Sequence, residues 1–96
     1  MDQSISEARS AANTAIANLE VTNATTKEQV LEAVTAVIKT SEYIAEWDSE
    51  NDFNKQDAGI DSPGSIGGKI LIKAVDGGET VATITVEKEI PALQNN

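Results

Sequence analysis

The chain has no cysteine and no histidine, and among its 96 residues only three are aromatic. The first absence removes disulfides and thiol nucleophiles, and the two together remove zinc sites built on those ligands. Without histidine the commonest general base near neutral pH is also missing. Basic residues are few and scattered, seven against sixteen acidic ones, with a formal net charge of −9. Binding to nucleic acid or to an anionic membrane surface needs lysine and arginine to neutralise phosphate, so this balance argues against both. No stretch approaches the roughly 20 apolar residues of a membrane helix, so no membrane insertion is expected. The opening MDQSISEARS is polar and acidic and does not have the pattern of a signal peptide.

What is present is a 40% apolar fraction supplied mainly by Ala, Val and Ile. The length suits one domain, residues 1–96, with a modest core built from small side chains, and so a thin two-layer body. The first half carries helical periodicity. Ile5, Ala8, Ala12, Ile16 and Leu19 form one stripe, and Ser4 with Glu7 makes a capping box, which places a helix over about 4–20. A second box, Thr25 with Glu28, precedes Val30, Leu31, Val34, Val37 and Ile38 and predicts a helix over about 26–40. The short link between them implies an antiparallel pair.

The second half switches period. Tyr43, Ala45 and Trp47 alternate with Ile44, Glu46 and Asp48, predicting a strand over about 43–48, followed by an acidic loop over 49–64. SIGGKILIKAV and TVATITVEKEI flank DGGE, a hairpin over about 65–90. Even-numbered residues from Ile66 to Ala74 and from Ala82 to Ile90 share the apolar face, so even must oppose even. A three-residue loop over Gly77, Gly78 and Glu79 satisfies this by pairing Ile72 with Ile84 and Ile70 with Val86, and sets Gly68 opposite Lys88. The expected fold is α+β, in the order α-α-β-β-β: an antiparallel helix pair packed on one face of a three-stranded antiparallel sheet. The other face shows Lys69, Lys73, Thr83, Thr85 and Glu87, with Leu71, Val75 and Val81 as an exposed apolar strip.

The chemistry-bearing stretch is SEYIAEWDSENDF, residues 41–53, which holds all three aromatics, Tyr43, Trp47 and Phe53, among acids. Tyr43 and Trp47 share a face and serve either as core for two alanine-rich helices or as a stacking platform for sugar rings or a partner. Phe53 is placed to pin the loop back. Asp48, Glu50 and Asp52 offer oxygens for calcium, but Phe53 stands where an EF-hand needs Gly and Gly59 where it needs Glu. Glu46 and Asp48 share a strand face with no sign of a cleft, so no catalytic residue, cofactor or metal site is assigned. Asn23-Ala24-Thr25 matches a glycosylation acceptor, a pattern too short to carry weight.

Four landmarks recur in order: NATTKEQVLEAVTAVI at 23–38, AEW at 45–47 with Phe53 following, GSIGGKILI at 64–72 and VEKEIPAL at 86–93. They resemble a small repeated accessory module of large secreted or surface-anchored multidomain proteins of Gram-positive gut bacteria. The resemblance implies a non-catalytic extracellular accessory or spacer module beside the catalytic or adhesive domains of its own chain; a monomer is expected. It carries over no functional residue. The alternative is a carbohydrate- or protein-binding module using the 43–61 region.

Overall fold

A computed structural model of the chain describes residues 3–94. The first helix, α1, spans Ile5–Asn18 and opens on the expected capping box: the Glu7 N–H donates to Ser4 Oγ at 3.1 Å, and the Ser4 N–H donates to the Glu7 carboxylate at 2.9 Å. Ala8, Ala12 and Ile16, four apart, are its buried stripe. The second helix, α2, spans Lys27–Thr35, and its box is Thr26 with Gln29, one residue later than expected. Thr25 is instead buried, and its Oγ1 accepts from the Thr22 N–H at 2.8 Å, which closes the turn between the helices.

α2 also stops earlier than the apolar stripe suggests. Gln3 reaches across from the N-terminus, donating to Val37 O and accepting from the Lys39 N–H at 2.7 Å. Those are backbone groups that another helical turn would need. Ile38 stays buried in the turn that follows, so the stripe outlasts the helix; Val37, at 37% exposure, leaves it.

The sheet comprises β1 (Tyr43–Trp47), β2 (Asn54–Gln56), β3 (Gly64–Ala74) and β4 (Thr80–Ile90), all antiparallel. β4 pairs along one edge of β3, from Gly64–Ile90 to Lys73–Thr80. β1 pairs with residues 70–74 of β3 and β2 with residues 65–67, so both lie on the opposite edge. There are thus four strands, but the sheet is three strands wide. β2 was not expected: it lies inside the segment read as loop, is three residues long and is exposed throughout. α1 packs on β4 and α2 on β1, which gives the two layers.

The hairpin keeps the expected faces but not the expected register. Ile70 opposes Ile84, Ile72 opposes Ala82, and Gly68 meets Val86 rather than Lys88. The loop is Val75–Gly78, closed by the Ala74 N–H donating to Glu79 O at 2.9 Å, with Gly77 and Gly78 at φ 93° and 69°. A four-residue loop alone would oppose even with odd residues and mix the faces. The irregularity between Ile72 and Lys73 restores parity by leaving Val81 without a partner in β3.

The even-numbered residues Ile66, Ile70, Ile72, Ala82, Ile84, Val86 and Ile90 therefore all point inward and are buried, against Val30, Val34 and the α1 stripe. On the outer face Leu71 is half-buried, while Val75 at 47% and Ile44 at 50% are exposed; Val81, expected in the same outer strip, is half-buried and packs against the core at the irregularity.

Candidate functional site

The register of β1 puts Tyr43, Ala45 and Trp47 opposite Ala74, Ile72 and Ile70, on the helix side of the sheet. Tyr43 is buried, and its hydroxyl donates to Gln3 O at 2.8 Å. Trp47 is half-buried; its indole N–H donates to Lys27 O at 3.1 Å, at the start of α2. Phe53 sits edge-on to Trp47 with ring centroids 5.3 Å apart, and both pack against the core. The structure thus brings Trp47 and Phe53 together and sends Tyr43 to the other end of β1. Both polar aromatic tips are used inside the chain.

The Trp47 ring shapes the strand beneath it. Gly68 has φ 130°, and a Cβ there would lie 2.9 Å from the ring and 2.9 Å from Asp52 O. Only glycine takes this conformation readily and leaves room for both neighbours.

The acidic turn is occupied by its own hydrogen bonds. The Asp48 carboxylate accepts from the Glu50 N–H at 3.0 Å and from the Asn51 side chain at 3.1 Å. Those bonds, the Asn51 one first, hold its pKa below the ordinary carboxylate range. Asp52 pairs with Lys27 at 3.0 Å and accepts from the Phe53 N–H, and its pKa is likewise lowered, chiefly by the lysine hydrogen bond. The turn is thereby tied to the start of α2. Among the described residues no three His, Cys, Asp or Glu side chains are grouped to hold a metal. Glu46 forms an ion pair with Lys73 across the outer face.

Asn23, which the sequence shows only as part of a short glycosylation-acceptor pattern, has a clear structural task. Asn23 donates its side-chain amide to Ala58 O at 2.9 Å and accepts from the Ala58 N–H at 2.7 Å. It thus pairs with a buried residue as a strand neighbour would. Lys55 in β2 donates to Asn23 O. The amide nitrogen a glycan would take is the one that donates to Ala58. The turn-rich TNATT run was the available signal, but nothing in it names a partner 35 residues away.

On the outer face a shallow cavity of about 290 Å³ opens where Gly67 carries no side chain, with the Gly68 backbone beside it. Asn51, Asn54, Lys69, Thr85 and Glu87 surround it. It holds amide, ammonium, hydroxyl and carboxylate groups, but one carboxylate and no aromatic lining. The chain matches no protein-family model, no curated protein and no solved structure.

Proposed function

We propose that the chain is a non-catalytic spacer or interaction module of a larger extracellular bacterial protein, joined to neighbouring domains of the same polypeptide. The observation that supports this is how the chain crosses its own body. Gln3 is bonded to Tyr43 and Lys39, at the end of the sheet where β1 begins beside Ala74. Leu93 donates its N–H to Gly59 O at 3.0 Å, beyond the Gly64–Ile90 pair at the other end. Ten strand steps separate Gly64 from Ala74, about 33 Å at ~3.3 Å per residue. The long dimension of the body is 51 Å, against 27 and 17 Å across it. A module that takes its chain in at one pole and releases it at the other holds its neighbours apart. One that returned it beside the start would not.

The extracellular setting rests on the resemblance to secreted and surface-anchored modules. The binding alternative has one observation of its own: the notch by Gly67 and Gly68 is flanked by Asn51 and Asn54, both inside the 43–61 segment.

The test uses the natural absence of cysteine. Spin labels on Gln3→Cys and Leu93→Cys should report one narrow distance of about 30–40 Å, set by the strand rise. The same chain should retain no ligand on a glycan array. A broad or short distance overturns the spacer. A retained glycan whose binding is lost in Asn54→Ala selects the alternative. Protease treatment of intact producing cells should release the segment; protection until lysis overturns the extracellular setting.

A further inference from the structure

β4 runs the length of the sheet and, among the described residues, is paired on one side only. Three hydrogen bonds fix where its backbone groups point. The Ala74 N–H donates to Glu79 O, so even-numbered residues of β3 turn toward β4. The Lys69 N–H donates to Asn51 O at 2.7 Å and the Val75 N–H to Glu42 O at 2.9 Å, so odd-numbered ones turn the other way. With Ile70 opposite Ile84 and Gly68 opposite Val86, the even residues of β4 bond β3. Thr83, Thr85, Glu87 and Glu89 then direct both N–H and C=O outward. All four are exposed, and no described residue bonds these groups.

The ends of this edge carry guards of the kind that sheets use against uncontrolled pairing. Val81 is the unpaired residue of the irregularity. Lys88 turns inward, its amine donating to Ala17 O at 2.8 Å. Pro91 ends the strand. Between them the edge is open and rich in β-branched residues.

We propose that the free edge of β4, from Thr83 to Glu89, takes up an extended, lysine- or arginine-bearing polypeptide segment as an added strand. This is independent of the spacer reading. Backbone pairing supplies the attachment and the exposed side chains supply the choice. Glu87 and Glu89 stand on the outer face of a chain with net charge −9, and neither has a cation within ion-pair distance among the described residues. Basic residues opposite them and β-branched ones opposite Thr83 and Thr85 make favourable cross-strand pairs. A second copy of the chain fits poorly. Each α1 packs on its own β4, and adjoining strands are about 4.8 Å apart, whereas packed helices need about 8–10 Å. A single extended segment brings no such helix.

The probe is the peptide acetyl-Lys-Ser-Lys-Ser-Thr-Ser-Val-amide, whose antiparallel register sets its lysines opposite Glu89 and Glu87. Titrated into the isotope-labelled chain, it should shift the amide signals of Thr83, Thr85 and Glu87 and slow their exchange at least about tenfold. The even-numbered β4 amides, already bonded to β3, should not change. Thr85→Pro removes one outward donor without touching the β3 ladder and should weaken binding about tenfold. Should that variant unfold, N-methylation of the peptide threonine removes the reciprocal bond of the same pair, from the peptide N–H to the Thr85 carbonyl, on the unaltered chain. Glu87→Lys with Glu89→Lys should reverse the preference toward a peptide with Glu in place of Lys. No protection of odd amides overturns the proposal. So do shifts confined to the Asn51–Asn54 notch, or a dimer in sedimentation that uses this edge.

Discussion

The two halves of β3 are held by different physics. From Ile70 to Ala74 the strand alternates large inward residues, pairs with the five-residue β1 and lies under the helix pair. From Gly64 to Gly68 it carries three glycines and pairs with a three-residue strand. There the Asn23–Ala58 bonds, the Lys55–Asn23 bond and close backbone contact replace much of the side-chain burial. The first half is specified by what its side chains fill, the second by where side chains are missing and where single polar groups reach.

Removing volume from the first half should have the largest effect. Ile70 is fully buried between Trp47 and Ile84 in the ladder. Ile70→Ala should cost about 3–4 kcal/mol, seen as a lower urea midpoint with all probes moving together. Adding volume to the second half should hurt next. Gly68→Ala combines a φ of 130° with a Cβ 2.9 Å from Trp47 and from Asp52 O, and about 2–3 kcal/mol is expected. The Trp47 emission should move to the red in the folded state, because the ring must lift off the strand. A variant with unchanged emission would show that the turn yields instead of the ring.

Asn23→Ala should sharpen the contrast, because its effect is local. It leaves the N–H and C=O of buried Ala58 without their partners, a loss of about 1–2 kcal/mol. Amide exchange should quicken through residues 54–62 while Ile70, Ile72 and Ile84 keep their protection. Equal loss at both places would mean that the halves open as one unit.

The same divide separates what could be read from the residues and what could not. Helix stripes and strand faces follow from periodicity, so Ala8, Ala12, Ile16, Val30, Val34 and the even residues of both hairpin strands were legible. Parity left a choice: pairing Ile70 with Ile84 or with Val86 keeps the faces equally well. The selection is made by Gly77, Gly78 and the Val81 irregularity, which carry no period. Thr25 and Thr26 are both competent caps, with Glu28 and Gln29 each three residues on, and tertiary burial of Thr25 decides between them. β2 is too short and too exposed to show alternation. Of the aromatic segment, the shared face of Tyr43 and Trp47 was legible. The notch beside Gly67 was not, because it is made of a side chain missing from one strand and asparagines from another segment.

The smallest expected effect concerns the turn that joins β1 to β2 and so bridges the halves. Asp48 and Asp52 both have lowered pKa values, the first through Asn51 and the Glu50 N–H, the second through Lys27 and the Phe53 N–H. A carboxylate whose pKa is lower folded than unfolded stabilises the fold above its unfolded pKa, about 3.9 for Asp. That contribution is lost as pH falls through the folded value. The carboxylates are solvent-exposed, so each contribution is small and screened by salt. The whole acidic surface protonates in the same range and relieves self-repulsion, which works in the opposite direction. The difference between variants isolates the turn: denaturation midpoints of the parent and of Asp48→Ala with Asp52→Ala should lie furthest apart near pH 6 and draw together as pH falls below the unfolded value of about 3.9. Lines that stay parallel throughout the acid range below that value would mean that the two carboxylates act through packing and not through their charge.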